Sequence, residues 1–253
     1  MDCKQSPVNL SAAQTEGHQR ERLAAYFLSA PPYKEQTPTE REIYRRHQQQ
    51  LGTLEDREVL QASGSARPLV WGNPVPLLQS LLTAAQRLAA TMGQPLLLFP
   101  AKETAIDFHT LLHPRLLSLG TVALLRTACL AAPKQPVWVR IQEQRRCLAV
   151  SVRATVPFEN AHAFSVTKES ARLHNGSLAL SEHAAGFSIG RVEMPPDDAR
   201  PYYSPTAEEL LRDTLSSVWT GFYCWLSPSS DEARCASDDS KSSNEKSNPI
   251  SEG

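Results

Sequence analysis

The chain has 253 residues, 41% of them hydrophobic and 21% charged, with a formal net charge of −1. That is the composition of an ordinary globular protein of one large or two small domains. The near-zero charge excludes a whole-protein field that would draw in nucleic acid or anionic lipid.

The five cysteines, Cys3, Cys129, Cys147, Cys224 and Cys235, show neither a CxxC nor a Cys/His metal spacing. They fit a reducing compartment better than a disulfide framework. No apolar run nears the ~20 residues needed to span a bilayer. The first 22 residues lack the apolar core of a signal peptide. The expected location is the cytoplasm, with no membrane span.

Residues 1–14 are polar and read as disordered. Leu23, Ala24, Phe27 and Leu28 recur at helical spacing within 15–30, and Pro31-Pro32 stops that helix. Thr37-Pro38-Thr39-Glu40 is a helix start, with Thr37 as N-cap, Pro38 first and Glu40 third. The second helix runs to about Ala62, so 15–66 reads as a helical hairpin. Gly64 to Pro68 is a flexible joint.

Leu77, Leu78, Leu81, Leu82, Ala85, Leu88 and Ala89 line one face of a helix beginning near Asn73, with Gly93 as its C-cap. Pro95–Pro100 holds a short strand, and 104–109 reads as another. A helix opens at His113-Pro114 and closes near Ala132-Pro133. Val137–Ile141 and Leu148–Val152 alternate apolar and polar as a hairpin, joined by Gln142–Arg146. Lys168–His174 is a helix ending at Asn175-Gly176, where positive φ is cheap. Ser177–Ser181 and Phe187–Glu193 are the last strands. Residues 207–226 read as one apolar helix. Residues 227–253 are almost devoid of apolar side chains and read as a disordered tail.

This element order predicts a two-layer α/β sandwich over 69–196, with a C-terminal helix in 197–226. Four local patterns make the region resemble the ATP-binding domain of two-component sensor histidine kinases, the fold shared with Hsp90-type ATPases. The hairpin before it resembles a shortened dimerisation hairpin. In the helix Val122–Ala128, the resemblance puts Ala123 and Thr127 where the family has two asparagines that face magnesium and phosphate. After Ala149–Arg153 the family writes Asp-x-Gly-x-Gly for adenine, where this chain has Ala154-Thr155-Val156-Pro157-Phe158. Between Phe158 and Val166 the family spends tens of residues on an ATP lid, and here only Glu159–Ser165 remains. Val166–Leu178 follows the family's helix, turn and strand, with Asn175 where the first glycine of a Gly-Gly turn stands.

Every retained feature is structural, and every missing one touches nucleotide. Neither His18 nor His47 has the sequence context of a phosphoacceptor. His109, His162 and His183 are too scattered for a metal site. The leading expectation is a degenerate histidine-kinase-like, or pseudokinase, scaffold in signal transduction, with no catalytic residues, no metal and no cofactor. Its partner would be another protein or a second copy, bound through helices 15–62 and 207–226. The alternative is a divergent kinase or ATPase that binds ATP and magnesium through Thr127, Thr155, Lys168 and Arg172. In a third reading the likeness is architectural only, and then Val137–Val152 and Ser177–Glu193 would not share a sheet.

Overall fold

The computed structural model describes residues 8–32, 35–62, 70–99, 108–144, 146–194, 197 and 200–226. The expected tail 227–253, the joint 64–68 and residues 104–107 lie outside the described residues.

The first two helices are α1, Val8–Ser29, and α2, Pro38–Gln61. Helix α1 begins seven residues before the expected start at 15, inside a segment read as disordered. The capping box of α2 forms as predicted. Thr37 Oγ1 accepts from the Glu40 amide at 3.3 Å, and Glu40 Oε2 accepts from the Thr37 amide at 2.7 Å. The helices run antiparallel, because Tyr26 meets Tyr44 and His47 while Arg20 bonds Glu58.

Then follow β1 (Val70–Gly72), α3 (Val75–Thr91), β2 (Leu96–Phe99), β3 (Thr110–Leu112) and α4 (Pro114–Ala131). The hairpin is β4 (Val137–Gln144) and β5 (Cys147–Ala154). It is longer than read from the sequence, and its strands consume most of the expected connection. A 3₁₀ turn at Ala161–Phe164 leads into α5 (Ser165–Leu173). Strands β6 (Leu178–Leu180) and β7 (Ala184–Gly190) complete the main sheet. Asn175 adopts φ 54°, as its place at the helix end requires.

The main sheet has the order β2-β4-β5-β7-β6. Strand β2 is parallel to β4 and the other pairs are antiparallel. Val137–Val152 and Ser177–Glu193 therefore share one sheet, contrary to the strand arrangement expected under the third reading. Alternation puts Val139, Ile141, Val150, Val152, Phe187 and Ile189 on one face, all buried against α3 and α4. Helix α4 is apolar enough by composition to cross a membrane, but most of it is buried inside this layer. The architecture is a two-layer α/β sandwich preceded by a helical hairpin.

Two further features departed from expectation. A second small sheet, β3-β1-β8, joins strands of two or three residues, with β8 at Arg200–Pro201. Such short strands leave no periodicity to read. The C-terminal apolar segment is also broken. Helix α6 spans only Ala207–Arg212. Asp213 then takes the chain out of the helix, its side chain accepting from the Leu215 amide at 2.9 Å. Helical structure resumes and widens into a π-turn at Trp219–Tyr223, followed by Cys224–Leu226. Val218 and Phe222 of this segment are fully buried in the core.

Candidate functional site

Of the two α4 positions that the resemblance assigns to nucleotide, Ala123 is covered by protein and Thr127 lines a groove. Ala123 is 2% exposed and packs in a small apolar cluster with Leu116 and Leu119 of α4, Val166 of α5 and Val59 of α2. Val59 is fully buried. The hairpin's second helix therefore lies on the helical layer of the sandwich.

Two glycines make this closeness possible. A Cβ on Gly120 would stand 2.2 Å from the Ser170 Cβ, so α4 and α5 touch because residue 120 has no side chain. Thr167 Oγ1 donates to the Gly120 carbonyl at 3.1 Å and Ser170 Oγ to the Leu116 carbonyl at 2.9 Å. A Cβ on Gly52 would lie 2.3 Å from the Thr220 carbonyl oxygen, so α2 meets the π-turn backbone to backbone.

A polar seam surrounds these contacts. Arg126 Nη2 donates to Asp56 Oδ2 at 2.6 Å, and its Nη1 reaches the Gly221 carbonyl at 3.3 Å. Its guanidinium lies 4.8 Å from the Trp225 ring centre. Glu55 Oε2 accepts from Thr220 Oγ1 at 2.8 Å, and Arg115 approaches Glu55 Oε1 at 3.4 Å. Burial raises the pKa of Glu55, against the lowering pull of Thr220 and Arg115. Burial likewise raises Asp56, and outweighs the ion pair with Arg126.

The shortened lid folds inward. Phe164 is 1% exposed and meets Phe158 edge to face at 5.4 Å. Ala154, at the position of the family's adenine-binding aspartate, is buried in the core as the last residue of β5.

The structure disperses the four residues named for the ATP alternative. Thr127 donates to the Ala163 carbonyl at 3.1 Å and lines a groove of about 550 Å³ with Leu130, Val156, Pro157, Phe158 and Glu159. Charge in that lining comes from Glu159, a carboxylate that repels phosphate. Thr155 lines a different concavity, on the outer face of the sheet, and is hydrogen-bonded to Gln135. Lys168 is exposed on α5. Arg172 forms a fork with Glu169, at 2.9 Å from Nε and 2.6 Å from Nη2 to Oε1. The groove takes in Thr127 and none of the other three.

The histidines have local roles. His47 stacks on Tyr26 with ring centres 4.1 Å apart and reaches the Ile43 carbonyl at 2.8 Å. Exposed His18 contacts Glu21 at 3.3 Å. His174 Nε2 accepts from the His113 amide at 3.1 Å, so its Nδ1 carries the proton toward the Ser170 carbonyl at 2.7 Å. Burial lowers the His174 pKa and favours that neutral form. Among the described residues no group of three or more His, Cys, Asp or Glu could hold a metal ion.

What the sequence reading missed was the role of α2. Buried Gln48, Gly52 and Glu55 interrupt its apolar stripe, so the stripe looked broken. The signal present was those same polar residues, whose partners lie about 165 positions away at Thr214 and Thr220.

No family model matches this sequence, and no curated protein matches it. The chain is similar in structure to the Acinetobacter baumannii histidine kinase AdeS, at 12% identity and a TM-score of 0.49, over 71% of this chain and 97% of that one. The cytoplasmic segment of histidine kinase QseC is similar at 16% identity and a TM-score of 0.44, over 57% of this chain and 95% of that one. The ATP-binding domain of PrrB from Mycobacterium tuberculosis is similar at 14% identity and a TM-score of 0.40, over 49% and 98%. At such values the architecture rests on the sheet order and helix placement above, and activity does not follow from the likeness.

Proposed function

We propose that this chain is a histidine-kinase-like scaffold that binds a protein partner and does not transfer phosphate. The observation that carries this reading is Ala123 buried in one cluster with Val59 of α2, with α5 seated on Gly120 beside it. At Ala123 the helix face that would turn toward nucleotide is instead buried. The neighbouring groove offers a carboxylate where phosphate would need a cation. ATP and magnesium have no place in this reading.

The partner surface is what the hairpin leaves outward. Leu28 is 89% exposed, and Ile43 and Leu60 are each 42% exposed. A protein partner or a second copy would use these, because the inward face of α2 and most apolar side chains of 207–226 are already packed. The reading keeps the protein in the cytoplasm.

Calorimetry of the full chain with ATP and magnesium up to millimolar nucleotide tests the proposal. The expected result is no binding, and no labelled phosphate on the protein in a parallel transfer assay. Magnesium-dependent binding in the micromolar range would overturn it and return attention to Thr127.

A further inference from the structure

The outer face of the main sheet carries a feature that the scaffold reading does not use. Two rungs of side chains cross it in register. One is Leu97–Trp138–Arg153–Ala184, and the next is Phe99–Arg140–Ser151–Gly186. The β2 side is apolar, with Leu97 43% and Phe99 52% exposed. The middle is cationic, because Arg140 and Arg153 are both exposed on neighbouring strands. The β7 side is low, because Ala184 and Gly186 of β7 and the neighbouring Ser151 of β5 are small. Large walls around a small floor produce a concavity of about 730 Å³.

Arg140 and Arg153 sit diagonally across the β4–β5 ladder, as neighbours about 7–8 Å apart with their Cβ atoms somewhat closer. Neither forms an ion pair with another described residue. Like charges held this close repel one another, and an anion placed between them relieves that repulsion. His183 at the rim is taken up by Glu182, at 3.8 Å.

We infer that this face is a docking site for an acidic, extended polypeptide segment carrying an apolar anchor. Carboxylates two residues apart on a strand lie on the same side about 6.7 Å apart, which matches the arginine spacing. The anchor side chain would lie against Phe99 and Trp138. Trp, Phe and Arg on one patch are the residues that dominate protein interfaces, and each guanidinium can fork a carboxylate. Single-stranded nucleic acid uses similar groups, but it tracks a longer cationic groove than two arginines supply.

The test uses the full chain and a fluorescein-labelled peptide, glutamate–serine–leucine–serine–glutamate–serine–glutamate, read by anisotropy. Its lysine-for-glutamate counterpart and a labelled deoxythymidine decamer are run beside it. The acidic peptide is expected to bind, and Arg140→Glu or Arg153→Glu to weaken it at least tenfold. Trp138→Ser is expected to weaken it too, while Lys168→Glu on the helical side leaves it unchanged. Both arginines are exposed, so the variants should keep the parental melting temperature and test the site rather than the fold. No binding, equal binding of the lysine peptide, tighter binding of the decamer, or indifference to both arginine variants would each overturn the proposal.

Discussion

The two faces of one sheet have taken opposite courses in this protein. On the helical face, Ala123, one of the two positions that the kinase resemblance would give to magnesium and phosphate, is buried in an apolar cluster, and Thr127 hydrogen-bonds to backbone. On the outer face, Arg140 and Arg153 stay exposed beside bare aromatic surface. The difference teaches that a face without an open site is legible as packing. A polar pocket that is only empty leaves unsatisfied groups, whereas here Thr127, Thr167 and Ser170 all spend their hydroxyls on backbone carbonyls.

The largest effect that can break this comparison is removal of the plug under the short lid. Phe164→Ala should cost about 3–5 kcal/mol, read by chemical denaturation, because the ring is fully buried. A loss below about 1 kcal/mol would mean that the lid segment is not part of the core.

Next comes the seam that fastens α2. Asp56→Ala leaves the Arg126 guanidinium, 11% exposed, facing the site without its carboxylate. The expected loss is about 3 kcal/mol, the low end for breaking a buried pair. Hydrogen exchange should show α2 and the π-turn opening together in that variant. Opening of α2 alone would show that the seam does not couple them.

The pH response should carry two opposite signs. His174 has a lowered pKa, so its contribution is complete above the ordinary histidine range near 6.5 and is lost as pH falls through the folded value. Glu55 has a raised pKa, so its contribution is complete below the ordinary carboxylate range near 4.3 and is lost as pH rises through its folded value. Melting temperatures of Glu55→Gln against the parent should therefore diverge upward as pH rises from 4 to 8. A parallel pair of curves would show that Glu55 is not desolvated.

The smallest effect sharpens the contrast. Lys168→Ala and Arg172→Ala, at exposed positions of α5, should each change stability by less than about 0.5 kcal/mol. Neither should change the calorimetric response to ATP.

Local signals in the chain were enough to place most elements. The capping box at Thr37 and Glu40, the apolar face of α3, the alternation of β4 and β5 and the turn at Asn175 all act within a few residues. Periodicity and cap chemistry state them directly. The missing nucleotide groups at Ala123 and Ala154 were equally legible, because absence of a ligand atom is a property of the residue itself.

Other features depended on contacts between distant segments. Val59 reaches Ala123, and Gly52 reaches Thr220, across more than 60 and 160 positions. No window of sequence holds both partners. The break at Asp213 was likewise missed because the apolar pattern continues on both sides of it. Sequence by itself thus determined the sandwich and which residue types stand at Ala123, Thr127 and Ala154. Only the tertiary structure decided what packs against Ala123, because burial is settled by which surfaces meet and no residue carries that information alone.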